Sequence, residues 1–196
     1  MTGSSGHLYV ALVHYPVYNK TGRVIASAVS NLDLHDISRA AKTFGVHAFY
    51  VVTPLNDQQA LVKRIVSHWI HGVGAAYNPD RKAALELIRL SASFEDALCD
   101  IAENDGASPV TVVTDAHPGP DTVGCEAVAG ILRAGKSVLL TFGTAWGLTH
   151  GFIEQADMVL DPIVGLTSYN HLSVRSAVAI MLDRVRALQR SLGFRV

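Results

Sequence analysis

Charge, cysteine and long apolar runs are all scarce in this chain of 196 residues. Its 16 Lys and Arg against 17 Asp and Glu give a formal net charge of −1, so a nucleic-acid site would have to be a local patch. No apolar run approaches the roughly 20 residues that cross a membrane. The two cysteines, Cys99 and Cys125, form no spaced pair, and the N-terminus lacks the basic and apolar regions of a signal peptide. We therefore expect a protein of the reducing cytoplasm.

Several familiar chemical motifs are also missing from the sequence. No G-x-G-x-x-G follows a strand pattern, which disfavours a dinucleotide site. Residues 130–137 fit G-x-x-x-x-G-K-[ST], but they run from a predicted helix into a predicted strand, the reverse of the order in a P-loop, so a P-loop site is disfavoured too. No G-x-S-x-G is present, so a serine hydrolase is disfavoured as well. His68 and His71 lie about one helical turn apart, but no third ligand has a metal-site spacing, and we expect no metal.

What the sequence does contain is a regular alternation of strand and helix patterns. Strands separated by helices of this length predict an α/β domain with a mostly parallel sheet and helices on both faces. We expect residues 8–196 to form one such domain, residues 1–7 to be a flexible start and residues 72–79 to be a loop. The predicted strands are Leu8–His14, Ala48–Thr53, Ile88–Ala92, Val110–Thr114, Val138–Phe142 and Met158–Leu160, and the predicted helices are Asp33–Phe44, Asp57–His71, Arg81–Ile88, Phe94–Glu103, Thr122–Arg133 and Ser173–Leu192.

Three predicted strands in the second half of the chain run into loops that carry glycine. The loops are Thr114–Asp121, Thr141–Leu148 and Leu160–Asn170, and the third leads into the N-terminus of the last helix. In a parallel sheet such loops lie at one edge, where the carboxyl ends of strands form a binding crevice. Glycine lets backbone groups approach a ligand closely, although each glycine taken alone could be an ordinary turn residue.

This C-terminal pattern resembles the cofactor-binding end of the SPOUT, or α/β-knot, RNA methyltransferases. In that family S-adenosylmethionine (SAM) lies bent between the loops of a C-terminal trefoil knot. The family pattern is a strand, a glycine-bearing loop, a short strand, a Pro/Ile/Gly loop and an Asn- or Ser-led helix. The resemblance implies such a knot here, against the topology rules that normally exclude one. It implies that SAM binds among Thr114, Asp115, Thr141, Phe142, Gly143, Gly147, Leu148, Pro162, Ile163, Gly165, Asn170, Leu172 and Ser173.

Residues 31–46 resemble the first motif of the same family, in which an Asn and an Arg precede an A-x-x-F-G-V ending. Arg39 falls at the Arg position, and Asn31 or Asp33 falls near the Asn position. The resemblance implies that Arg39 activates or places the target. The acidic residues depart from the ribose-methylating relatives, and Asp33 or Asp36 would suit a general base, with His35 close to the substrate. A solvated helix face is the alternative reading of these charges.

A longer string, from His14 to Asp36, resembles a narrower group of bacterial SAM-dependent RNA methyltransferases related to the tRNA guanine-N1 methyltransferase. With the C-terminal third, this resemblance covers nearly the whole chain after residue 8. An aromatic and polar loop within the string could stack on or hydrogen-bond a base, or it could be a solvated hairpin loop. Its candidate substrate residues are Tyr15, Tyr18, Asn19 and Lys20.

The last predicted helix carries an apolar stripe from Val174 to Leu192 that is wide enough for core packing and a partner. SPOUT enzymes generally act as dimers, so the resemblance and the stripe together predict a homodimer. Arginines near the end of this helix suit its dipole and could also contact RNA phosphate. They are Arg184, Arg186, Arg190 and Arg195.

The sequence therefore predicts a SAM-dependent methyltransferase that acts on a structured RNA such as tRNA or rRNA. Two other functions stay open at this point. The chain could be a catalytically inert knot domain that binds RNA, or a methyltransferase that acts on a protein or a small molecule.

Overall fold

The chain alternates strands and helices, in a computed structural model that describes residues 5–117, 119, 121–167 and 169–191. Most of the predicted flexible start, together with Leu192 and Arg195, lies outside these residues. The strands are β1 (Leu8–Val13), β2 (Val17–Tyr18), β3 (Val24–Ile25), β4 (Phe49–Val52), β5 (Ile88–Ser91), β6 (Val110–Thr114), β7 (Thr122–Val123), β8 (Val138–Gly143) and β9 (Met158–Leu160). The helices are α1 (Asn31–Thr43), α2 (Asn56–Ile70), α3 (Val73–Tyr77), α4 (Pro79–Leu85), α5 (Phe94–Asp105), α6 (Cys125–Arg133), α7 (His150–Ile153) and α8 (Val174–Ser191).

Seven strands form one sheet in the order β5-β4-β1-β8-β6-β9-β7, and their pairings are parallel. Side chains alternate across each strand, so Val10 of β1 faces one core and Ala11 faces the other. Helices α1, α2, α4, α6 and α8 cover the first face, and α5 and α7 cover the second. The prediction of a mostly parallel sheet with helices on both faces is confirmed.

The strand order of the sheet reverses between β1 and β8. From β1 the chain extends the sheet through β4 and β5, and it then crosses to β6 on the other side of β8. In the register, Val13 lies beside Gly143, and Val113 lies beside Thr141. The carboxyl ends of β1, β8, β6 and β9 therefore share one edge, and a reversal of this kind is where ligands bind in open α/β sheets.

Two predicted elements are wrong in detail. Residues 72–79, expected to be a loop, contain the five-residue helix α3, which packs on α2 because Gly74 leaves room for the ring of Trp69. The predicted helix Thr122–Arg133 begins as strand β7 and becomes helical only at Cys125. Strand β7 is two residues long and forms by pairing with β9, so no local sequence pattern predicts it.

Helix α8 packs its apolar stripe inside its own chain. The stripe contacts α1, α6 and β8, so its width does not by itself call for a partner. The buried apolar residues of α8 are Val178, Met181, Leu182 and Val185.

Among the helices of the described residues, none is both long and apolar enough to span a membrane.

One of the arginines near the end of α8 has a structural role. Arg186 donates from Nε to the backbone oxygen of Phe44 at 2.7 Å and from Nη2 to that of Gly45 at 2.6 Å. These carbonyls end α1, where no further helical N–H is available to them. Arg186 therefore satisfies the carboxyl end of α1, which leaves Arg184 and Arg190 as the exposed arginines of this group within the described residues.

Candidate active site at the carboxyl edge of the sheet

Three loops meet where β6, β8 and β9 end. The hydroxyl of Thr114, at the end of β6, donates to the backbone oxygen of Thr141 in β8 at 3.1 Å. In the loop after β9, Asn170 donates from Nδ2 to the backbone oxygen of Ala116 in the loop after β6, at 2.8 Å. The structure thus brings together the three loops that the sequence singled out, and Asn170 fastens two of them.

The loop after β8 is a tight turn with unusual backbone conformations. Gly147 has a φ of 98°, and Ala145 has a φ of 53°, which is left-handed and costs a non-glycine residue about 1 kcal/mol. A Cβ at Gly143 would lie 2.8 Å from the backbone nitrogen of Leu148, so only glycine fits there. Strained backbone of this kind clusters at ligand sites, which supports a binding role for this loop.

Four of the predicted cofactor residues have side chains that are already engaged within the protein. Thr141 is fully buried, and Phe142 and Leu148 belong to the two cores. Asp115 accepts a hydrogen bond through Oδ1 from the backbone N–H of His117 at 2.9 Å, which shapes the loop after β6. At the three buried positions, only the backbone can reach a ligand in the crevice.

The loop after β9 is open and apolar. No atom of the described residues lies within 4 Å of the position that a Cβ at Gly165 would take. Four large apolar side chains of the same loop are exposed, with Leu166 fully accessible and Leu172 48% accessible. An exposed apolar patch of this kind marks a surface for a ligand or for another protein. The other two members are Val164 and Tyr169.

Both ends of that loop are held in place. The carboxylate of Asp161, just after β9, accepts a hydrogen bond from the hydroxyl of Thr122. The next two residues, Pro162 and Ile163, are half-buried. At the far end Ser173 caps α8, since its Oγ accepts a hydrogen bond from the backbone N–H three residues later at 3.3 Å. The open, apolar part of the loop therefore lies between two fixed points.

The hairpin of β2 and β3 lies directly on the loop after β8. The backbone N–H of Tyr18 donates to the oxygen of Gly147 at 2.9 Å, and the N–H of Trp146 donates back to Tyr18 at 3.0 Å. Val17 and Leu148 form an antiparallel bridge beside them. The candidate substrate loop and a candidate cofactor loop are therefore in contact, although about 130 residues separate them in the sequence.

Within this hairpin the candidate residues have different roles. The side-chain oxygen of Asn19 accepts hydrogen bonds from the backbone N–H groups of Thr21 and Arg23, each at 2.9 Å. Asn19 therefore shapes the turn, as Asn commonly does. Tyr15 is 47% exposed and Lys20 is exposed, so these two side chains can reach a substrate.

A buried histidine, not selected from the sequence, connects the hairpin segment to the loop after β8. The Nδ1 atom of His14 lies 2.9 Å from the hydroxyl of Ser27, which in turn lies 2.6 Å from the hydroxyl of Thr144. Thr144 donates its only hydroxyl hydrogen to the backbone oxygen of Val13 at 3.1 Å. Ser27 must then donate to Thr144, and His14 must donate from Nδ1 to Ser27. This chain of hydrogen bonds fixes the position of Thr144 at the mouth of the crevice.

The imidazole of His14 is neutral at physiological pH. Burial lowers its pKa to about 4, although backbone groups at Ala28 and Ser27 partly oppose this effect. Its Nε2 atom is buried and has no hydrogen-bond partner among the described residues. A histidine that directly follows a buried strand was the only sequence signal for this residue.

Asp33 and Asp36 share an arginine that the sequence analysis also missed. Arg175 places Nη1 3.3 Å from Asp33 and Nε 3.4 Å from Asp36. Because Arg175 lies in the first turn of α8, two residues after Ser173, these ion pairs join α1 to the end of the loop after β9. Burial raises the pKa of Asp33, which Arg175 opposes and the charge of Asp36 reinforces.

Arg39, in contrast, lies beside a groove between α1, α2 and α4. It lines this groove of about 830 Å³ together with Asn31 and His35, and no lining residue belongs to the loops after β6, β8 or β9. Burial lowers the pKa of His35, and the positive charge of Arg81 adds to this effect. Asp36 lines the groove and also pairs with Arg175, so it connects the two regions.

These features define an α/β domain with a crevice at the carboxyl edge of a parallel sheet, which is where open α/β sheets bind nucleotide-like ligands. The model of a protein family described as SAM-dependent RNA methyltransferase matches residues 7–187. The chain belongs to this family. Among the described residues, no group of three or more His, Cys, Asp or Glu side chains is placed to hold a metal ion.

Individual relatives agree with the family. The tRNA (guanine-N(1)-)-methyltransferase of Oleidesulfovibrio alaskensis is 47% identical over 179 residues, which are 91% of this chain and 42% of that protein. An uncharacterized protein of Aquifex aeolicus is 35% identical over 185 residues, 94% of this chain and 90% of that protein. The crystal structure of a TrmH/SpoU tRNA modifying enzyme from A. aeolicus has the same fold, with a TM-score of 0.55 and 15% identity over 97% of this chain and 78% of that one.

These comparisons confirm the predicted SPOUT-like α/β fold and the predicted relation to the tRNA guanine-N1 methyltransferases. The description of the family model agrees with the predicted SAM-dependent RNA methyltransferase and with SAM as its predicted cofactor. The chain spans less than half the length of the tRNA methyltransferase that it matches, because the alignment covers 42% of that protein. The trefoil knot and the individual site residues stay predictions.

Proposed function

We propose that this chain methylates a nucleotide of a structured RNA such as tRNA, in the crevice between the loops after β6, β8 and β9. The observation that carries the proposal is the contact of these loops at one edge of the sheet, with the hairpin of β2 and β3 beside them. We further propose that these loops form the trefoil knot of the family within a single domain of residues 8–196.

The crevice has features that suit SAM. When bound, SAM supplies an electrophilic methyl group on a sulfonium sulfur. The adenine of such a ligand needs apolar walls and edge hydrogen bonds, and Leu166, Tyr169 and Leu172 expose apolar surface on the loop that carries Gly165. Backbone groups of the strained turn between Gly143 and Leu148 supply donors and acceptors next to the same edge.

Asp33 is our candidate for the proton acceptor. The acceptor atom of the RNA loses a proton as it takes the methyl group, and a carboxylate held beside it can receive that proton. Burial raises the pKa of Asp33, which makes its carboxylate a stronger base than a solvated one. Arg175 holds this carboxylate next to the end of the loop after β9, and Asp36 is the alternative base. Arg39, with Asn31 and His35, would place the target from the groove.

We also propose a homodimer that works in the cytoplasm. The exposed apolar side chains of the loop after β9 support the dimer better than the stripe of α8, which is buried in its own chain. Cys99 and Cys125 are both free thiols, which is the state expected in a reducing compartment.

The direct test is methyl transfer from labelled SAM to total RNA from a strain that lacks the protein. We expect label in tRNA or rRNA, and mass spectrometry of the nucleosides would then identify the product. Label that enters only the protein fraction would instead support a protein methyltransferase. If neither fraction is labelled while RNA still binds, the chain is an inert RNA-binding domain and the proposal is wrong.

A further inference from the structure

The groove beside Arg39 has a chemistry of its own. It runs between α1, α2 and α4, on the sheet face that α6 and α8 also cover, and its volume is about 830 Å³. Three arginines line it, one from each helix: Arg39 from α1, Arg64 from α2 and Arg81 from α4. A chain of net charge −1 therefore concentrates three guanidinium groups in one concave surface.

These positive charges are not neutralised within the protein. In the described part of the chain, no ion pair involves Arg39, Arg64 or Arg81. Asp36 is the one acidic residue in the groove lining, and Arg175 already pairs with it. Guanidinium groups in such a groove match phosphate oxygens in both charge and hydrogen-bond geometry.

Two buried polar atoms of the groove also lack a hydrogen-bond partner among the described residues. They are Nε of Arg81 and Nδ1 of His35. An unsatisfied buried polar group destabilises the folded protein, so native proteins keep few of them and often at functional sites. The Nε of Arg81 is a donor, and the described residues supply no acceptor for it.

Trp69 holds Arg81 in place. The guanidinium carbon of Arg81 lies 4.7 Å from the centre of the indole ring, within cation–π range. The ring itself is confined, because His35 and His68 pack edge-on against it at 5.3 Å and Gly74 lies too close for a side chain. A charged group fixed in this way loses less entropy when it binds an anion than a free one does.

One ion pair links the groove to the candidate active site. Asp36 lines the groove, and its partner Arg175 lies two residues after Ser173, at the end of the loop after β9. We propose that this groove binds the phosphate backbone of the RNA strand that flanks the methylated nucleotide, through Arg39, Arg64 and Arg81. The assignment rests on the proposed function for its ligand, because RNA supplies the phosphates.

The test compares pairs of neighbouring residues in the full-length protein. Arg64→Ala and Arg81→Ala remove groove charges, and Lys63→Ala and Lys82→Ala remove the same charge from the same helices outside the groove. Binding of an unmodified tRNA transcript is measured over a range of salt concentrations. Calorimetry with SAM and thermal denaturation check that each variant keeps its cofactor site and its fold.

We expect each arginine variant to bind the transcript roughly tenfold more weakly than its lysine control, with SAM affinity unchanged. The slope of log affinity against log salt should fall by about 0.7 for each phosphate contact that is lost. Arginine variants that bind and respond to salt like their controls would overturn the assignment. So would variants that lose the dimer in light scattering, since the groove would then be an interface between copies.

These outcomes are separate from a failure of the proposed function. If the wild-type protein binds the transcript through the groove but transfers no methyl group to any RNA, the enzyme proposal fails while the groove assignment stands. If methyl transfer occurs and the groove variants bind normally, the groove assignment fails alone.

Discussion

Mild acid should destabilise this protein through His14. The imidazole is buried beside Ser27 and Thr144, and burial lowers its pKa to about 4. In the unfolded chain the same ring has a pKa near 6.5. Between about pH 6.5 and pH 4 the unfolded chain therefore binds a proton that the folded protein resists, and the free energy of unfolding falls as the pH falls.

The size of the effect follows from these two pKa values. The gap between about 6.5 and about 4 corresponds to about 3 kcal/mol in total, of which about 2 kcal/mol should be lost between pH 7 and pH 4.5. The stabilisation that neutral His14 contributes to the folded protein is complete above about pH 6.5 and fully lost below about pH 4. A loss of about 2 kcal/mol is a large part of the stability of a typical domain.

The assay is chemical denaturation of the wild type and of His14→Asn at both pH values. Asparagine can still donate to Ser27 but does not titrate, so the variant should lose about 2 kcal/mol less than the wild type between the two pH values. Effects of other groups, such as the raised pKa of Asp33, are common to both proteins and cancel in the difference. An equal loss in both proteins would show that His14 is not held neutral, and it would refute the reasoning.

Three further predictions concern the proposed site. Gly165→Val should lower SAM affinity at least about tenfold in calorimetry, because the valine side chain fills the open space at Gly165. The control Gly151→Val, also in open space, should leave SAM affinity unchanged. Equal SAM affinities of the two variants would remove Gly165 from the site. Arg39→Ala should leave SAM affinity intact and cut turnover by on the order of a hundredfold. The control Lys42→Ala, on the same helix, should keep near-normal turnover. Full methyl transfer by Arg39→Ala would rule out a role of Arg39 in placing or activating the target. Light scattering should give twice the mass of one 21.0 kDa chain, and a mass of one chain at micromolar concentration would contradict the dimer.

The ion pairs of Arg175 bear on how the two halves of the site work together. Asp33 and Asp36 come from α1, whereas Arg175 starts α8 directly after the loop that follows β9. A change in that loop would therefore reach the candidate base through a single arginine. The candidate base and the loop after β9 are thus joined by ion pairs that lie within one chain.

The sequence by itself determined the main elements of the fold. Strands β1, β4, β6, β8 and β9 and most helices lie within a few residues of their predicted positions, because burial periodicity and flanking turn residues are local signals. The cap of α5 is an example, since Ser93 and Asp96 exchange the two hydrogen bonds of a capping box. The family resemblance also came from contiguous residues, and for that reason the fold, the cofactor and the activity could be predicted together.

Short elements could not be predicted in this way. Helix α3 has five residues and strand β7 has two, so neither is long enough to show a period. Both exist because of distant partners: α3 packs on α2, and β7 pairs with β9.

The tertiary structure alone decided how the site is assembled. It placed the hairpin of β2 and β3 on the loop after β8, and it joined His14 to Thr144 through Ser27. It brought Arg175 to Asp33 across 142 residues of sequence, and it turned Arg39 toward a groove with α2 and α4. These contacts depend on the strand order of the whole sheet, and local propensity carries no information about which strands become neighbours.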